Sequence, residues 1–589
     1  MVGTRLVADV RLAERLDGVE VLARNGDTHT LCRELRRILP GHRVRRSSVG
    51  AWIEATNAEV LTTIEDEALD LRWADEARRF ADNRQRARGV HDKLRTEAQR
   101  IVEGGRDAAL VALEDVRGLE PLDDHQLVNV AAMTLPGGSG LCIFDEQGAG
   151  KTVTLIFAFD VLVSRDEVDF ALILAPKGMV PEWPRDFERF KHDLYRVQIA
   201  SGTRREKRAA LRSQPDVLVT NFETAVSLEN ELRALLRRHQ GRAMLVVDES
   251  FYAKNLDAKR TRAIRRLREW CGRAFVLCGT PAPNSPGDLV QQFNLVDLWM
   301  TFDGVEIPED KHQALSIVQA QVESRGLFVR HLKKDVLPDL PGKTFQRVFV
   351  SMQPDQERAY RAALDDLVLD LQATDDSSFR RELTSFLARR SALLQICSNP
   401  AALVPGYEEV PSKLLALESL LDELVGVRGE KVVVWSFFTA SIDAIMRRFS
   451  RLDPLRYDGT VSDVDARREA VRAFQEDEDR KLFVANPAAA GAGLTLHSAR
   501  FAIYESMSNQ AAHYLQSLDR IHRRGQGRPV EYIVLLCDRA IDIAEYDTLT
   551  HKEAAAQQLL RDDVEAPVTR QSFLEDALRI RDLIGGDQR

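Results

Sequence analysis

Zinc-ligand pairs, membrane spans and a bulk excess of basic charge are all missing from this chain. The six cysteines, Cys32, Cys142, Cys271, Cys278, Cys397 and Cys537, form no CxxC pair and lie mostly among apolar residues. That pattern argues against a zinc site and for reduced core thiols. No uninterrupted apolar run approaches the ~20 residues a membrane-spanning helix needs. The charged start (Arg5, Asp9, Arg11) lacks the apolar region of a signal peptide, so a cytoplasmic protein without membrane attachment is expected. A formal net charge of −9 speaks against coating nucleic acid by bulk electrostatics.

What is present is apolar content for several cores: 589 residues, 44% of them hydrophobic, suggest about four domains. Basic residues cluster at Arg204, Arg205, Lys207, Arg208 and Arg212, and again at Lys259, Arg260, Arg262, Arg265, Arg266 and Arg268; acidic ones gather at 355–376 and 561–565. The basic clusters read either as local nucleic-acid surface or as solvated helix faces.

The stretch Leu141–Val153, LCIFDEQGAGKTV, organises the chain. An apolar run, a turn with Gly148 and Gly150, and then Lys151 and Thr152 opening an apolar helix have the layout of a phosphate-binding loop. Glycines let backbone N–H groups approach phosphates, Lys151 reaches the β/γ-phosphates and Thr152 can ligate Mg²⁺. The usual first glycine is Asp145, so an ordinary strand-to-helix turn stays open at this point.

Residues 1–115 carry no catalytic signature; a helix is expected over Thr28–Leu39, a strand region containing Trp52 over His42–Ala55, and helix-like periodicity over 66–103. From Leu122 short apolar runs alternate with helical segments, the texture of parallel α/β architecture. Strands are expected at 141–144, 170–175, 216–220, 243–247 and 274–278, each ending at a polar or glycine-containing motif, as ligand-binding strands of open α/β sheets do. A second series is expected at 431–435, 482–485, 501–504 and 530–536, with mainly helical segments at 286–330 and 352–400.

In Ala243–Asn255, AMLVVDESFYAKN, a buried strand ends on Asp248 and Glu249. Asp248 can hold Mg²⁺ and Glu249 can orient and deprotonate an attacking water. A capping role explains one acidic residue there better than an adjacent pair, and with the phosphate loop upstream the two point to a Mg-nucleotide site.

These residues resemble the Swi/Snf-type ATPases of helicase superfamily two, in the family's order over about residues 120–550. DEQGAGKT, Asp145 included, is similar to the family's DEMGLGKT. LDDHQ resembles the adenine-recognising segment, with Gln126 as the adenine-facing amide and an Asp where a basic residue is usual. Ala175-Pro176-Lys177 with Trp183, Thr220-Asn221-Phe222-Glu223-Thr224, and Gly279-Thr280-Pro281 with Asn284 are similar to the motifs that touch nucleic acid or couple it to the nucleotide. RHLKKDVLPDLPGK (330–343) resembles the family's connector. Further on, the resemblance implies backbone contacts at Ser436 and Thr439, an element at Tyr457–Thr460 with Arg467, and a loop at Ala490–Leu494 whose Gly491 and Gly493 touch nucleotide and track. QSLDRIHRRGQ, with Gln516, is close to QAxDRAHRIGQ, and Arg520 and Arg523, three apart and therefore on one face of a helix, resemble the pair that reaches the γ-phosphate. Phe251 stands where the family carries His, and Glu505 where it carries Asp. The string LPGHRVRRSSVGAWIEATNAEVL resembles the HARP-type module of annealing helicases, with Arg43, Arg45, Arg46 and Trp52 as a contact surface.

The resemblance implies an α/β fold of two RecA-like parallel-sheet lobes with helical insertions and an N-terminal accessory α/β or helical domain. Expected boundaries are 1–115 (accessory domain), 116–345 (first lobe), 346–550 (helical insertion and second lobe) and 551–589 (C-terminal helical extension). It also implies hydrolysis of ATP with Mg²⁺ and movement on double-stranded or branched DNA without base specificity; no protein partner is indicated. Strand separation or action on RNA, and an inactive binding scaffold, are the alternatives.

Overall fold

The computed structural model describes residues 5–14, 18–25, 27–39, 44–64, 66, 68–250, 258–279, 287–308, 310–461, 463–489, 494–508, 510–556 and 570–585. The chain divides into two compact units, Met1–Val336 and Leu337–Arg589.

The first unit begins with a five-stranded sheet of β1 (Leu6–Leu12), β2 (Gly18–Ala23), β3 (Val44–Arg46), β4 (Ala51–Glu54) and β5 (Leu69–Trp73), in the order β3-β4-β2-β1-β5. All pairs are antiparallel except β1 with β5. In β1, Leu6, Ala8 and Val10 are buried while their neighbours are partly or fully exposed, the period-two pattern of a sheet covered on one face. The helix Thr28–Ile38, capped by Asp27 accepting from Thr30 N–H, packs Leu31, Cys32 and Leu35 into the same core. The helix expected over 28–39 and the strand region around Trp52 are therefore present, and β1, β2 and β5 are additions. Helix Asp75–Ala112, broken at Gly105 by a left-handed φ of 61°, leads out of this sheet.

The second sheet of this unit is seven-stranded: β6 (Gly140–Ile143), β7 (Phe170–Ala175), β8 (Val197–Ile199), β9 (Val217–Asn221), β10 (Gly241–Asp248), β11 (Cys271–Leu277) and β12 (Phe328–Val329), in the order β12-β6-β11-β10-β7-β9-β8. Every pairing is parallel. Near-continuous apolar runs form its central strands because helices cover both faces, and every residue of β6 and β7 is buried. The carboxyl ends of β6, β7, β9, β10 and β11 deliver Phe144–Gly150, Pro176-Lys177, Asn221, Asp248-Glu249 and Cys278-Gly279.

The second unit holds a six-stranded parallel sheet: β13 (Lys343–Val350), β14 (Val432–Trp435), β15 (Leu455–Tyr457), β16 (Leu482–Ala485), β17 (Phe501–Tyr504) and β18 (Val530–Cys537), ordered β13-β18-β17-β14-β16-β15. Helices Pro354–Ala373, Asp376–Ser398 and Arg570–Gly585 share a separate apolar cluster beside it. The α/β class with two parallel sheets is as the sequence predicts.

The basic clusters resolve unequally. In helix Lys259–Arg268, Arg260 pairs with Glu223, Arg262 with Glu14 and Arg266 with Glu229. Arg265 stacks on Trp299, and buried Arg268 donates to the carbonyls of Leu295, Cys271, Ser139 and Val296. This helix is internal mortar, not the open basic surface its sequence suggests. In the other cluster, Arg208 pairs with Glu231, and Arg205, Lys207 and Arg212 are exposed or half-exposed.

Candidate active site

The phosphate loop lies between β6 and helix Lys151–Ser164. Gly148 and Gly150 take left-handed φ values of 85° and 89°, and a Cβ at Gly150 would lie 2.2 Å from Gln126 Nε2. Lys151 Nζ donates to the carbonyls of Asp145 and Glu146 at 2.8 and 3.3 Å, which keeps the ammonium over the loop. Thr152 follows, half-buried, in the first helical turn. Gln126 caps its own helix by accepting from Asp123 N–H at 3.0 Å, and its amide lies 3.4 Å from the carbonyl of Ala149, which His125 Nε2 also meets at 2.8 Å.

Asp145 is fully buried, and its carboxylate is spoken for within the protein: Asn129 Nδ2 donates at 2.6 Å, and the N–H of His331 at 2.8 Å. The main chain continues the junction, Phe144 N–H to Val329 O and Glu146 N–H to His331 O, both 2.9 Å. Residues 328–333, a two-residue edge strand and the start of the connector, thus brace the phosphate loop, a role that two strand residues just ahead of a connector motif do not announce in sequence.

Asp248 ends β10, and Glu249 follows with a left-handed φ of 49°, a strained conformation of the kind that concentrates at functional sites. Burial, reinforced by the adjacent Glu249 charge and opposed by Lys151, pushes the Asp248 carboxyl up to about 7. Glu249 Oε1 accepts from Gln147 Nε2 at 2.6 Å, and Gln147 lies against Gly279, where a Cβ would be 2.6 Å from Gln147 Cγ. The end of β11, the phosphate loop and the acidic pair are therefore in one contact series, and Gln147 is its unpredicted middle member. Asp248 Oδ2 and Glu249 Oε2 are buried with no hydrogen-bond partner among the described residues. Two orphaned carboxylate oxygens beside a phosphate loop fit an oxygen-seeking divalent cation and a water held by one.

Of the residues expected at nucleic acid, Lys177 and Thr439 are exposed. Thr220 is buried and donates to Ala200 O at 2.8 Å, Asn221 caps helix Phe222–Ser227 by accepting from Thr224 N–H, and Gly279 is buried. Ser436 is fully buried and donates to Glu505 at 2.7 Å. Glu505 also accepts from Ser398 at 2.6 Å and Ser506 at 2.8 Å, a hydroxyl cluster that sets the ends of β14 and β17. These interior side chains shape the loops that carry them. Phe251, Thr280, Pro281, Asn284, Ala490, Gly491, Ala492 and Gly493 lie outside the described residues.

In the second unit, Arg520 and Arg523 follow the end of helix Ala511–Leu518 and sit in turns, so the shared helix face expected from their spacing is not how they are presented. They converge by another route. Arg520 Nη1 and Arg523 Nη1 both reach the Leu494 carbonyl, at 3.4 and 3.3 Å, and Arg523 also donates to Thr495 Oγ1 at 2.6 Å. Gln526 fixes the turn through the carbonyls of His497 and Ala499, and Gln516 is buried on the helix.

A parallel sheet with a glycine-framed phosphate loop, a lysine at the helix start and an acidic pair two strands away defines the class of P-loop nucleotide-dependent proteins. The description "SNF2-related domain" matches residues 71–402, more than half of the chain, and "Helicase conserved C-terminal domain" matches residues 413–525. The chain belongs to the SNF2-related family. It is 23% identical to the uncharacterized ATP-dependent helicase MG018 of Mycoplasma genitalium, covering 77% of this chain and 42% of that protein. It is 25% identical to the ISWI chromatin-remodeling complex ATPase ISW1 of Saccharomyces cerevisiae, covering 69% of this chain and 38% of that one. The chain thus spans about two fifths of the length of such relatives. Among solved structures it resembles the Sulfolobus solfataricus SWI2/SNF2 ATPase core in complex with dsDNA, at 20% identity, covering 76% of this chain and 97% of that one with a TM-score of 0.32. No helix among the described residues is long and apolar enough to cross a membrane.

Proposed function

We propose that this protein hydrolyses ATP to move along double-stranded DNA, remodelling DNA structures or protein–DNA complexes. The observation that carries the reading is the acidic pair: two buried carboxylate oxygens on Asp248 and Glu249 with no hydrogen-bond partner among the described residues, beside Lys151 of the phosphate loop. Lys151 and the loop N–H groups bind the β/γ-phosphates. Thr152 and Asp248 would hold Mg²⁺, which supplies charge neutralisation on the phosphates when bound. Glu249, fixed by Gln147, orients the attacking water and takes its proton. Arg520 and Arg523 place positive charge on the γ-phosphate as it transfers, an effect worth ~10³–10⁵ in rate in enzymes that use it.

Tracking rests on phosphate contacts, with Lys177 and Thr439 the exposed candidates and Thr220, Asn221, Gly279 and Ser436 shaping their loops; Thr280 is a further candidate on sequence alone. Such contacts carry no base code and make binding salt-sensitive. Branched DNA is included as a substrate because Arg45 and Trp52 stack on each other in the N-terminal sheet, 5.6 Å from guanidinium to ring centroid. The six buried free cysteines favour the reducing cytoplasm. ATP-driven displacement of a third strand from a duplex tests the reading: it should occur with the wild-type chain and be lost in Lys151→Ala, and displacement that survives that substitution would refute it.

A further inference from the structure

Arg523 leans on a segment that a helix of the second unit holds from behind. Its Nη1 donates to Thr495 Oγ1 at 2.6 Å and to the Leu494 carbonyl at 3.3 Å, so the head of a long, flexible side chain is fastened to two consecutive residues. The shorter bond goes to the hydroxyl of a β-branched side chain, which has few rotamers of its own.

Thr495 is gripped in turn by Gln475, near the end of helix Val464–Glu476. The Gln475 amide donates from Nε2 to the Thr495 carbonyl at 2.8 Å and accepts at Oε1 from the Ser498 N–H at 3.0 Å, spanning the two ends of the segment Thr495–Ser498. The helix is itself anchored. Asp463 caps its start by accepting from Asp465 N–H at 2.9 Å, and near its end buried Phe474 packs on Phe483 with ring centroids 5.1 Å apart. A side chain mounted on so rigid an element places its partners more closely than a loop would.

The same segment docks onto the turn that carries Arg523. Leu496 N–H donates to the Arg520 carbonyl at 2.9 Å, and Gln526 Nε2 donates to the His497 carbonyl at 3.0 Å. The His497 ring lies against Gly525, where a Cβ would be 3.1 Å from Cδ2. Burial, with the Arg523 charge, holds this imidazole below its usual range, so it adds no second cation beside the guanidinium at neutral pH.

Arg523, Thr495 and Gln475 are each only partly buried, a setting in which such bonds add little to stability and matter chiefly for placement. An arginine that meets a phosphate gains most when its head is ordered beforehand, because rotamer freedom and hydrogen-bond geometry are then settled before the reaction.

We propose that Thr495 and Gln475 are positioning residues for ATP hydrolysis: the Thr495 hydroxyl sets the Arg523 guanidinium, Gln475 sets Thr495, and both rest on the role proposed for Arg523 at the γ-phosphate. They act through Arg523 and not on the nucleotide.

The test is ATP turnover by the full chain with blunt duplex DNA present, in Thr495→Val, Thr495→Ser, Gln475→Leu, Arg523→Ala and the double variant Arg523→Ala with Thr495→Val. Thr495→Val and Gln475→Leu should each lower kcat at least about fivefold with KM for ATP within about twofold, and Thr495→Ser, which keeps the hydroxyl, should recover most of the loss. On the Arg523→Ala background Thr495→Val should lower kcat by less than about twofold more, since both changes remove the same contact. Binding of ADP with aluminium fluoride, a mimic of the transferring phosphate, should weaken in Thr495→Val by about the factor lost in kcat, while ADP alone binds as in wild type. A wild-type kcat in Thr495→Val, an undiminished loss on the Arg523→Ala background, or equal weakening of ADP alone would overturn the proposal. Thr495→Val and Thr495→Ser decide it even where Gln475→Leu fails to fold. A wild-type kcat in Arg523→Ala would instead overturn the role of Arg523 itself, and the positioning pair with it.

Discussion

Asp145 accepts a hydrogen bond from the backbone N–H of His331 at 2.8 Å, joining positions 186 residues apart. With Asn129 on its other oxygen, this carboxylate closes the phosphate loop onto Arg330–Lys333. Asp145→Ala should leave the Asn129 amide and the His331 N–H short of an acceptor and destabilise the first unit by about 2–4 kcal/mol. Steady-state kinetics on that variant should show KM for ATP rising more than kcat falls, because the loop is misplaced while the reacting groups remain. A denaturation midpoint and KM both equal to wild type would remove the brace from the account.

The N-terminal sheet is tied to the rest of the first unit by buried charge. Arg84, with no exposure, donates to Glu59 at 2.6 Å and to Asp303 at 3.0 Å, and Arg88 repeats both pairings. Removing Asp303 leaves Glu59 to serve both arginines and one buried guanidinium nitrogen of Arg84 without its acceptor, which typically costs about 1–3 kcal/mol. Asp303→Ala should therefore lower the unfolding free energy of the first unit by that order and admit protease between the sheet and the helix Asp75–Ala112. Deleting 1–115 should unfold the unit instead of trimming a tethered module. A deletion variant with normal stability would contradict this.

Glu269 carries a pH signature. Its burial pushes the carboxyl up to about 7 from an ordinary 4.5, against the pull of Arg268, Arg265, Arg84 and Arg79. The folded chain keeps a proton that the unfolded chain gives up between those values, so the stability this group contributes is full below about pH 4.5 and is lost as pH rises to about 7. Glu269→Gln removes the titration. Chemical denaturation should find the variant up to about 3 kcal/mol more stable than wild type at pH 8 and nearly equal at pH 5. A difference independent of pH would show that the group is charged throughout.

The buried parallel strands were legible because runs such as Leu-Val-Val in β10 and Val-Val-Val in β14 permit few other structures. Edge strands were not. β8, β12 and β15 span two or three residues, and β13 is mostly exposed, so apolar content does not mark them. Lys151, Asp248 and Glu249 announced themselves by type and spacing. Gln147, Asn129 and His331 did not, since their roles arise where β6, β10 and β12 bring distant loops together. The arginines of 259–268 misled for a related reason: charge count is visible in sequence, whereas Glu14, Glu223 and Glu229, which neutralise it, are scattered along the chain.

ATP turnover of the full chain, measured alone and with blunt duplex DNA, single-stranded DNA and RNA, beside Glu249→Gln, tests the central claim most directly. Turnover should be raised most by duplex DNA, and reduced by about 10²–10⁴ in Glu249→Gln while ATP binding is retained. Turnover unaffected by that substitution, or stimulated more by RNA than by duplex DNA, would contradict it.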